Sequence, residues 1–263
     1  VGRPVGGAVA LASHFDAETR AFGGPTVLLD GGDVYQGTPI SNLTSGRSTV
    51  DFYNAIGLDA AAVGNHEFDW GIDVLRERLD QARFPWLAAN ILVENTDTAP
   101  AWLEQVAMVE VDGVRLGVIG LATIETPSDV LFGNVAGLDF PRGEAAIDRW
   151  VPELRRRGAH FGAVVAHAGA FCDRDGNNCE GEIVDIAAAV QNRPDLIVAG
   201  HTHRPVRTRV NGIPIIEAGS YGTRYGVVDL VRVSADSVAV YMHGTPNVYA
   251  DVLPPDTAVA RII

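Results

Sequence analysis

Three short runs constrain this chain more than any other feature: Leu28-Leu29-Asp30-Gly31-Gly32-Asp33, Gly64-Asn65-His66-Glu67 and Gly200-His201-Thr202-His203. In each, the polar residues follow an apolar stretch of four residues, at 26–29, 60–63 and 196–199, that reads as a buried strand. A fourth apolar stretch, 161–166, ends at His167. Carboxylate, amide and imidazole groups placed directly after buried strands describe an α/β domain whose site lies at the strand ends. One histidine in such a position is an ordinary polar residue entering a loop. His66, His167, His201 and His203 together, near Asp33 and Asn65, are harder to dismiss and point to a metal site. Neutral imidazole mixed with carboxylate suits Mn, Zn, Fe or Co better than Ca or Mg. His14, His160 and His243 read as surface residues of helices or strands and receive no role.

The rest of the chain supports a layered domain. Helical spacing is predicted over 6–20, 48–56, 71–82, 143–157 and 182–191, and strands at 86–89, 161–166 and 196–199. Two hairpins are predicted, 106–111 with 114–121 across Asp112-Gly113, and 206–210 with 213–217 across Asn211-Gly212. Further strands are expected at 225–233 and 237–243. Alternating strands and helices early, and hairpins later, predict an α/β fold with mixed sheets rather than a purely doubly wound one. The chain has no internal repeat and no glycine-rich phosphate loop of the P-loop or dinucleotide type.

Composition narrows the function classes. With 263 residues and 47% hydrophobic content the chain can bury one large core. No apolar run is long enough to span a bilayer, and no secretory leader is visible. The net charge of −13 argues against a nucleic-acid polymer as partner. All twenty basic residues are arginine, which reads as coding bias. Arg155-Arg156-Arg157 ends a helical pattern, where cations suit the helix dipole. The stretch 173–177, Asp-Arg-Asp-Gly-Asn, has some calcium-loop character, but its glycine is misplaced and no closing glutamate follows, so a polar surface loop is expected. Cys172 and Cys179 allow either a short-loop disulfide, which implies an oxidising compartment, or two reduced thiols.

Several stretches carry a resemblance: DGGDVYQGTPISNL at 30–43, VGNHEFDWG at 63–71, FPWLAANI at 84–91, GVIGLAT at 117–123, VAGHTH at 198–203 and EAGSYGTRYGVVDL at 217–230. In these the chain resembles the amino-terminal catalytic domain of the 5′-nucleotidase and 2′,3′-cyclic-nucleotide phosphodiesterase family, within the calcineurin-like dinuclear metallophosphoesterases. The resemblance implies a four-layer α-β-β-α sandwich of two mixed sheets, and hydrolysis of nucleotide phosphoesters by a bridging hydroxide on two divalent metals. It implies that Asp33 bridges both metals, that Asn65, His167 and His201 complete the second metal's shell, and that His203 binds the first metal. Asn65 and His66 would contact the substrate phosphate. His66 would be the catalytic group, held by Asp69. The other reading of Asp69 is an N-cap for the helix at 71–82. Glu67 is expected to be structural or to support the ligands, and Asp30 to do the same or simply to turn the chain.

The resemblance also predicts a gap. The family's first motif, Asp-x-His at the end of the first strand, is absent from this sequence. The first metal then keeps only Asp33 and His203, and the first strand is expected to be missing. Residues 1–253 are expected to form the catalytic domain, and 254–263 to begin a linker to a carboxyl-terminal nucleotide-binding domain of the same parent protein. The chain as written is expected to bind at most one metal tightly. The resemblance favours the Cys172–Cys179 disulfide and a periplasmic or extracellular location, with a small nucleotide as substrate. The competing readings are a degenerate, non-catalytic metal-binding module and a relative acting on a non-nucleotide ester.

Overall fold

The computed structural model describes residues 2–173, 176–234 and 237–262. In chain order the elements are α1 (Ala8–Phe22), β1 (Leu29–Asp30), α2 (Pro39–Leu43), α3 (Arg47–Ile56), β2 (Ala60–Ala62), α4 (Gly71–Gln81), β3 (Trp86–Leu87), β4 (Leu92–Val93), β5 (Val106–Val111) and β6 (Val114–Leu121). There follow α5 (Thr126–Asp129), β7 (Leu138–Asp139), α6 (Glu144–Arg156), β8 (Phe161–Ala166), α7 (Glu182–Ala189), β9 (Leu196–Ala199), β10 (Val206–Val210), β11 (Ile213–Glu217), β12 (Val227–Ser234) and β13 (Ser237–Gly244).

Two sheets stack face to face. The smaller has the order β1-β2-β3, all parallel, with Leu29 opposite Ala60 and Ala61 opposite Trp86. The larger has the order β10-β11-β9-β8-β6-β5, parallel at its centre and antiparallel at both edges. Both antiparallel pairs are the hairpins expected at Asp112-Gly113 and Asn211-Gly212. Strand alternation assigns the faces. Ala60, Ala62 and Leu87 turn inward against Val118, Phe161, Val165 and Ile216 of the larger sheet. Ala61 and Trp86 turn outward against Val50 of α3 and Leu75 of α4. The far face of the larger sheet buries Ile147, Val151 and Leu154 of α6 and Ile183 and Ile186 of α7. The four layers are therefore α3/α4, small sheet, large sheet and α6/α7.

The sheets approach closely at Gly120. A Cβ there would overlap the Leu87 backbone, and the Gly120 carbonyl accepts a hydrogen bond from Ala89 N at 2.8 Å. Gly120→Ala should destabilise the fold by about 1–3 kcal/mol through overpacking. Denaturant unfolding checks this; an unchanged midpoint would refute the close approach.

Several expected boundaries moved. The first strand, expected at 26–29, is Leu29–Asp30. Before it, Leu28 pairs not with a strand but with Asp59, donating its N–H to the Asp59 carboxylate at 2.8 Å and accepting from Asp59 N at 3.0 Å. The short pair β4–β7 and helix α2 lie where no periodicity marks them. The hairpin β12–β13 forms its own two-stranded sheet. Among the described residues, β1 is paired only with β2 and β12 only with β13. A cleft of about 1340 Å³ separates them, floored by Leu116, Phe161 and Ile216 and roofed by α1. Residues read from the sequence as the start of a linker pack onto the domain: Ser13 Oγ donates to Pro254 O at 2.8 Å, and Val259 is buried with Leu11 and Phe52. Of the stretch 173–177, Arg174 and Asp175 lie outside the described residues. Cys172 and Cys179 are joined by a disulfide.

Candidate metal centre

The carboxyl ends of β1, β2, β8 and β9 deliver the side chains singled out in the sequence to one place. After β1 the chain turns through Gly31 and Gly32. A Cβ on Gly31 would press on Ala199 O at 2.9 Å, and one on Gly32 would meet His167 Nδ1 at 2.8 Å. Glycine at both positions lets the turn lie directly on the ends of β8 and β9. Asp30 is partly buried beneath it, accepting from Gly32 N at 2.9 Å and from the Tyr53 hydroxyl at 2.7 Å. Asp33, His201 and His203 have φ of 57°, 81° and 57°. Non-glycine residues rarely adopt this left-handed backbone, and its concentration on three candidate ligands marks a strained site.

The centre is built around His167 Nε2. That atom lies 2.9 Å from Asn65 Oδ1, 3.2 Å from Asp33 Oδ2 and 3.2 Å from His201 Nδ1. Asn65 and His167 are 4% and 1% exposed. The opposite nitrogen of each ring has an acceptor of its own. His167 Nδ1 donates to Gly31 O at 2.9 Å, and His201 Nε2 donates to Glu125 Oε2 at 2.8 Å. Those partners occupy the outward nitrogens, so the inward nitrogens of the neutral rings carry lone pairs. In the metal-free chain burial lowers the His167 pKa but the facing Asp33 carboxylate outweighs it, which favours a proton on Nε2 directed at Asp33. With both rings neutral, two ring nitrogens, an amide oxygen and a carboxylate oxygen stand about His167 Nε2 with no hydrogen among them. Those donors could hold a cation. A metal–ligand bond of about 2.1 Å at tetrahedral to octahedral angles places neighbouring donors about 3.0–3.5 Å apart. The 2.9 and 3.2 Å from His167 Nε2 lie close to that range, while Asp33, His167 and His201 do not all come within 4.8 Å of one another.

Burial pushes the Asp33 carboxyl up, but the neighbouring His167 and His66 outweigh it and hold its pKa below the ordinary value. The other oxygen, Asp33 Oδ1, accepts from His66 N at 3.1 Å. His203 is exposed and, among the described residues, shares no hydrogen bond with the other four; its ring lies beside Tyr221, 6.3 Å between centroids.

His66 Nδ1 is 2.8 Å from Asp69 Oδ2. That hydrogen bond raises the imidazole pKa to about 9 against the opposing effect of burial, with Asp33 adding to the rise. The N-cap of α4 is Trp70, and the Asp69 carboxylate turns to His66 instead. Asn134 Nδ2 donates to the Asp69 carbonyl at 2.9 Å and steadies that residue.

Two buried glutamates tie the ligand loops together. Glu67 accepts from Gly64 N at 2.6 Å and Asp33 N at 3.0 Å, while its carbonyl accepts from Tyr35 Oη at 2.8 Å. Burial and then Asp33 push its pKa to about 8. Glu217 accepts from Thr202 Oγ1 at 2.8 Å, Arg204 N at 3.3 Å and Ala170 N at 3.4 Å, joining the His167 loop to the His201–His203 loop. Burial pushes it to about 7. The sequence reading assigned no role to Glu217, nor to Glu125 and Asp129, whose carboxylates lie within 4.8 Å of a His201 ring nitrogen and of each other. The only sequence signal for Glu217 was its place at the end of a buried strand.

A profile described as calcineurin-like phosphoesterase matches residues 5–205. The endonuclease YhcR of Bacillus subtilis is 29% identical over 98% of this chain and 22% of its own length. A 5′-nucleotidase of Vibrio vulnificus is 32% identical over 74% of this chain and 35% of its own length. The chain thus spans about a quarter to a third of the length of these relatives. Among solved structures, a sulfate thiohydrolase from Thermus thermophilus superposes with a TM-score of 0.83 at 24% identity, covering 98% of this chain and 46% of that one. This likeness is one of fold.

Proposed function

The chain belongs to the calcineurin-like phosphoesterase family, and on that premise we propose that it hydrolyses phosphoesters of small nucleotides with two divalent cations. The observation that carries the proposal is the convergence of Asn65 Oδ1, Asp33 Oδ2 and His201 Nδ1 on His167 Nε2, with both rings locked from outside. Asp33, Asn65, His167 and His201 would hold one cation, and Asp33 with His203 would hold part of the shell of a second. Mn, Zn, Fe and Co suit this donor set. When bound, such a pair lowers the pKa of a shared water and neutralises phosphoryl charge.

The chain's own residues supply the rest. Asn65 turns Oδ1 to His167, which leaves Nδ2 to donate to a phosphoryl oxygen. His66 spends Nδ1 on Asp69 and keeps a proton at Nε2, where it stabilises developing charge or reaches the leaving oxygen. Thr202 and the buried Glu217 keep the His201–His203 loop in register with His167.

The cleft between β1 and β12, with two open strand edges and an apolar floor, supports the reading that a further strand sits there. Such a strand would end beside Asp33 and His203 and complete the second shell. In this reading, residues from 254 onward lead towards a carboxyl-terminal domain that selects the nucleotide. The Cys172–Cys179 disulfide supports a periplasmic or extracellular location, and among the described residues no helix is long and apolar enough to cross a membrane.

The test is hydrolysis of bis-p-nitrophenyl phosphate by the full-length protein with added Mn²⁺. A panel of 5′-monophosphates, 3′-monophosphates, 2′,3′-cyclic nucleotides and single-stranded DNA should follow. Turnover of mononucleotides is expected. Preferential cleavage of the polymer would move the reading towards the nuclease-named relative, and inactivity with every divalent metal would overturn it.

A further inference from the structure

We propose that Glu125 is a positioning residue for the candidate metal centre: its carboxylate locks His201 with Nδ1 facing inward. The proposal rests on the metal-centre reading above and adds to it a residue outside the ligand set. An imidazole at the rim of a site can present either nitrogen after a ring flip. The partner of the nitrogen that faces away decides which. His201 has His167 on one side, with ring centroids 4.9 Å apart and an edge-to-face angle of 67°, and Glu125 Oε2 on the other at 2.8 Å. Packing against His167 limits the ring's tilt but does not distinguish its two nitrogens. The hydrogen bond to Glu125 does.

The Glu125 side chain is 60% exposed, so only its backbone can hold it in place. That backbone is anchored on both sides. Thr123 Oγ1 accepts from Glu125 N at 3.1 Å and donates to Glu182 Oε2 at 2.6 Å, while Ile124 N donates to Glu182 Oε1 at 3.1 Å. The Glu125 carbonyl accepts from Ser128 N at 2.8 Å and Asp129 N at 3.1 Å, starting the single turn of α5. Thr126 is fully buried, with its hydroxyl on Thr123 O at 2.9 Å. Glu182 opens α7, so a helix on the far side of the large sheet fixes the corner from which Glu125 reaches His201. A charged acceptor on Nε2–H also makes Nδ1 a better donor to a cation. Outer partners of this kind typically change metal affinity about 10–100-fold.

The experiment is isothermal titration of Mn²⁺ into the metal-free, full-length protein and its Glu125→Ala and Glu125→Gln variants, with Glu110→Gln as a surface control. Glu125→Ala should weaken one class of Mn²⁺ site about 10–100-fold and leave the other unchanged. Glu125→Gln, whose amide oxygen accepts the same hydrogen bond, should recover most of the loss. Proton NMR should show the slowly exchanging His201 Nε2–H in the wild type and the Gln variant but not in the Ala variant. Unchanged Mn²⁺ affinity in Glu125→Ala, with wild-type binding intact, overturns the proposal and leaves the metal-centre reading standing. Anomalous density for Mn²⁺ between Glu125 and Asp129 also overturns it, because Glu125 would then be a ligand. A wild-type protein that binds no Mn²⁺ defeats both.

Discussion

Asp33→Ala should lower Mn²⁺ affinity by at least about two orders of magnitude, more than the 10–100-fold that losing an outer partner costs, and bring phosphoesterase turnover to background. Asn65, His167 and His201 offer neutral donors, and among the described residues Asp33 is the one carboxylate that touches His167 Nε2. Without it a dication in a buried site has no direct counter-charge, and desolvation of an unpaired ion is costly. The two Asp33 oxygens also face different ways, one to His167 and one to His66 N. Its loss therefore removes the joint between the imidazole side of the site and the Asn65–His66 turn. Asp33→Asn keeps the shape and an acceptor for His66 N but not the charge. Equal loss in Ala and Asn variants assigns the effect to charge, whereas full recovery in Asn would overturn this account. Titration calorimetry with Mn²⁺ provides the affinity, and circular dichroism checks that both variants fold.

His66→Asn should reduce kcat by about 10²–10⁴-fold, the range for a positioned acid–base group, and leave metal affinity unchanged. Its imidazole engages Asp69, and among the described residues it shares no hydrogen bond with His167. The same pair makes a signed prediction about pH. The folded pKa of His66 is raised to about 9, above the ordinary value near 6.5. The charged pair therefore contributes its full stabilisation below about pH 6.5 and loses it as pH rises through about 9. Asp69→Asn removes the largest cause of the shift. In the metal-free protein the His66 titration, followed by NMR, should fall towards 6.5. In the metal-loaded protein nearby cations oppose the imidazolium, so the alkaline limb of kcat lies below 9 and moves lower still in Asp69→Asn. An unmoved His66 titration would disprove the pairing.

The site was legible in the sequence to the extent that its donors follow strands. Asp33, Asn65, His66, His167, His201 and His203 all stand at the ends of short apolar runs, and the structure gathers them at one edge of two stacked sheets. Asp69 was legible as a choice between two partners, and the structure resolves it, with Trp70 at the N-cap and the Asp69 carboxylate on His66. Glu125, Glu182 and Glu217 were not legible as supports. Glu125 and His201 are 76 residues apart, and Thr123 and Glu182 are 59 apart. A single exposed glutamate carries no periodic signal, and contacts of that separation depend on how the strands are ordered. Short ladders such as β4–β7 were missed for the same reason: two residues cannot display a period.

By itself the sequence determined which strands are buried, where the hairpins turn and which residue types stand ready at the strand ends. Those follow from local rules, apolar runs and Asx-Gly turns acting over a few residues. Only the tertiary structure decided which nitrogen of each imidazole faces inward. That depends on acceptors brought from distant segments: the Gly31 carbonyl for His167 and the Glu125 carboxylate for His201. A ring nitrogen presents a lone pair only when its opposite nitrogen holds the proton, and that proton goes where packing supplies an acceptor.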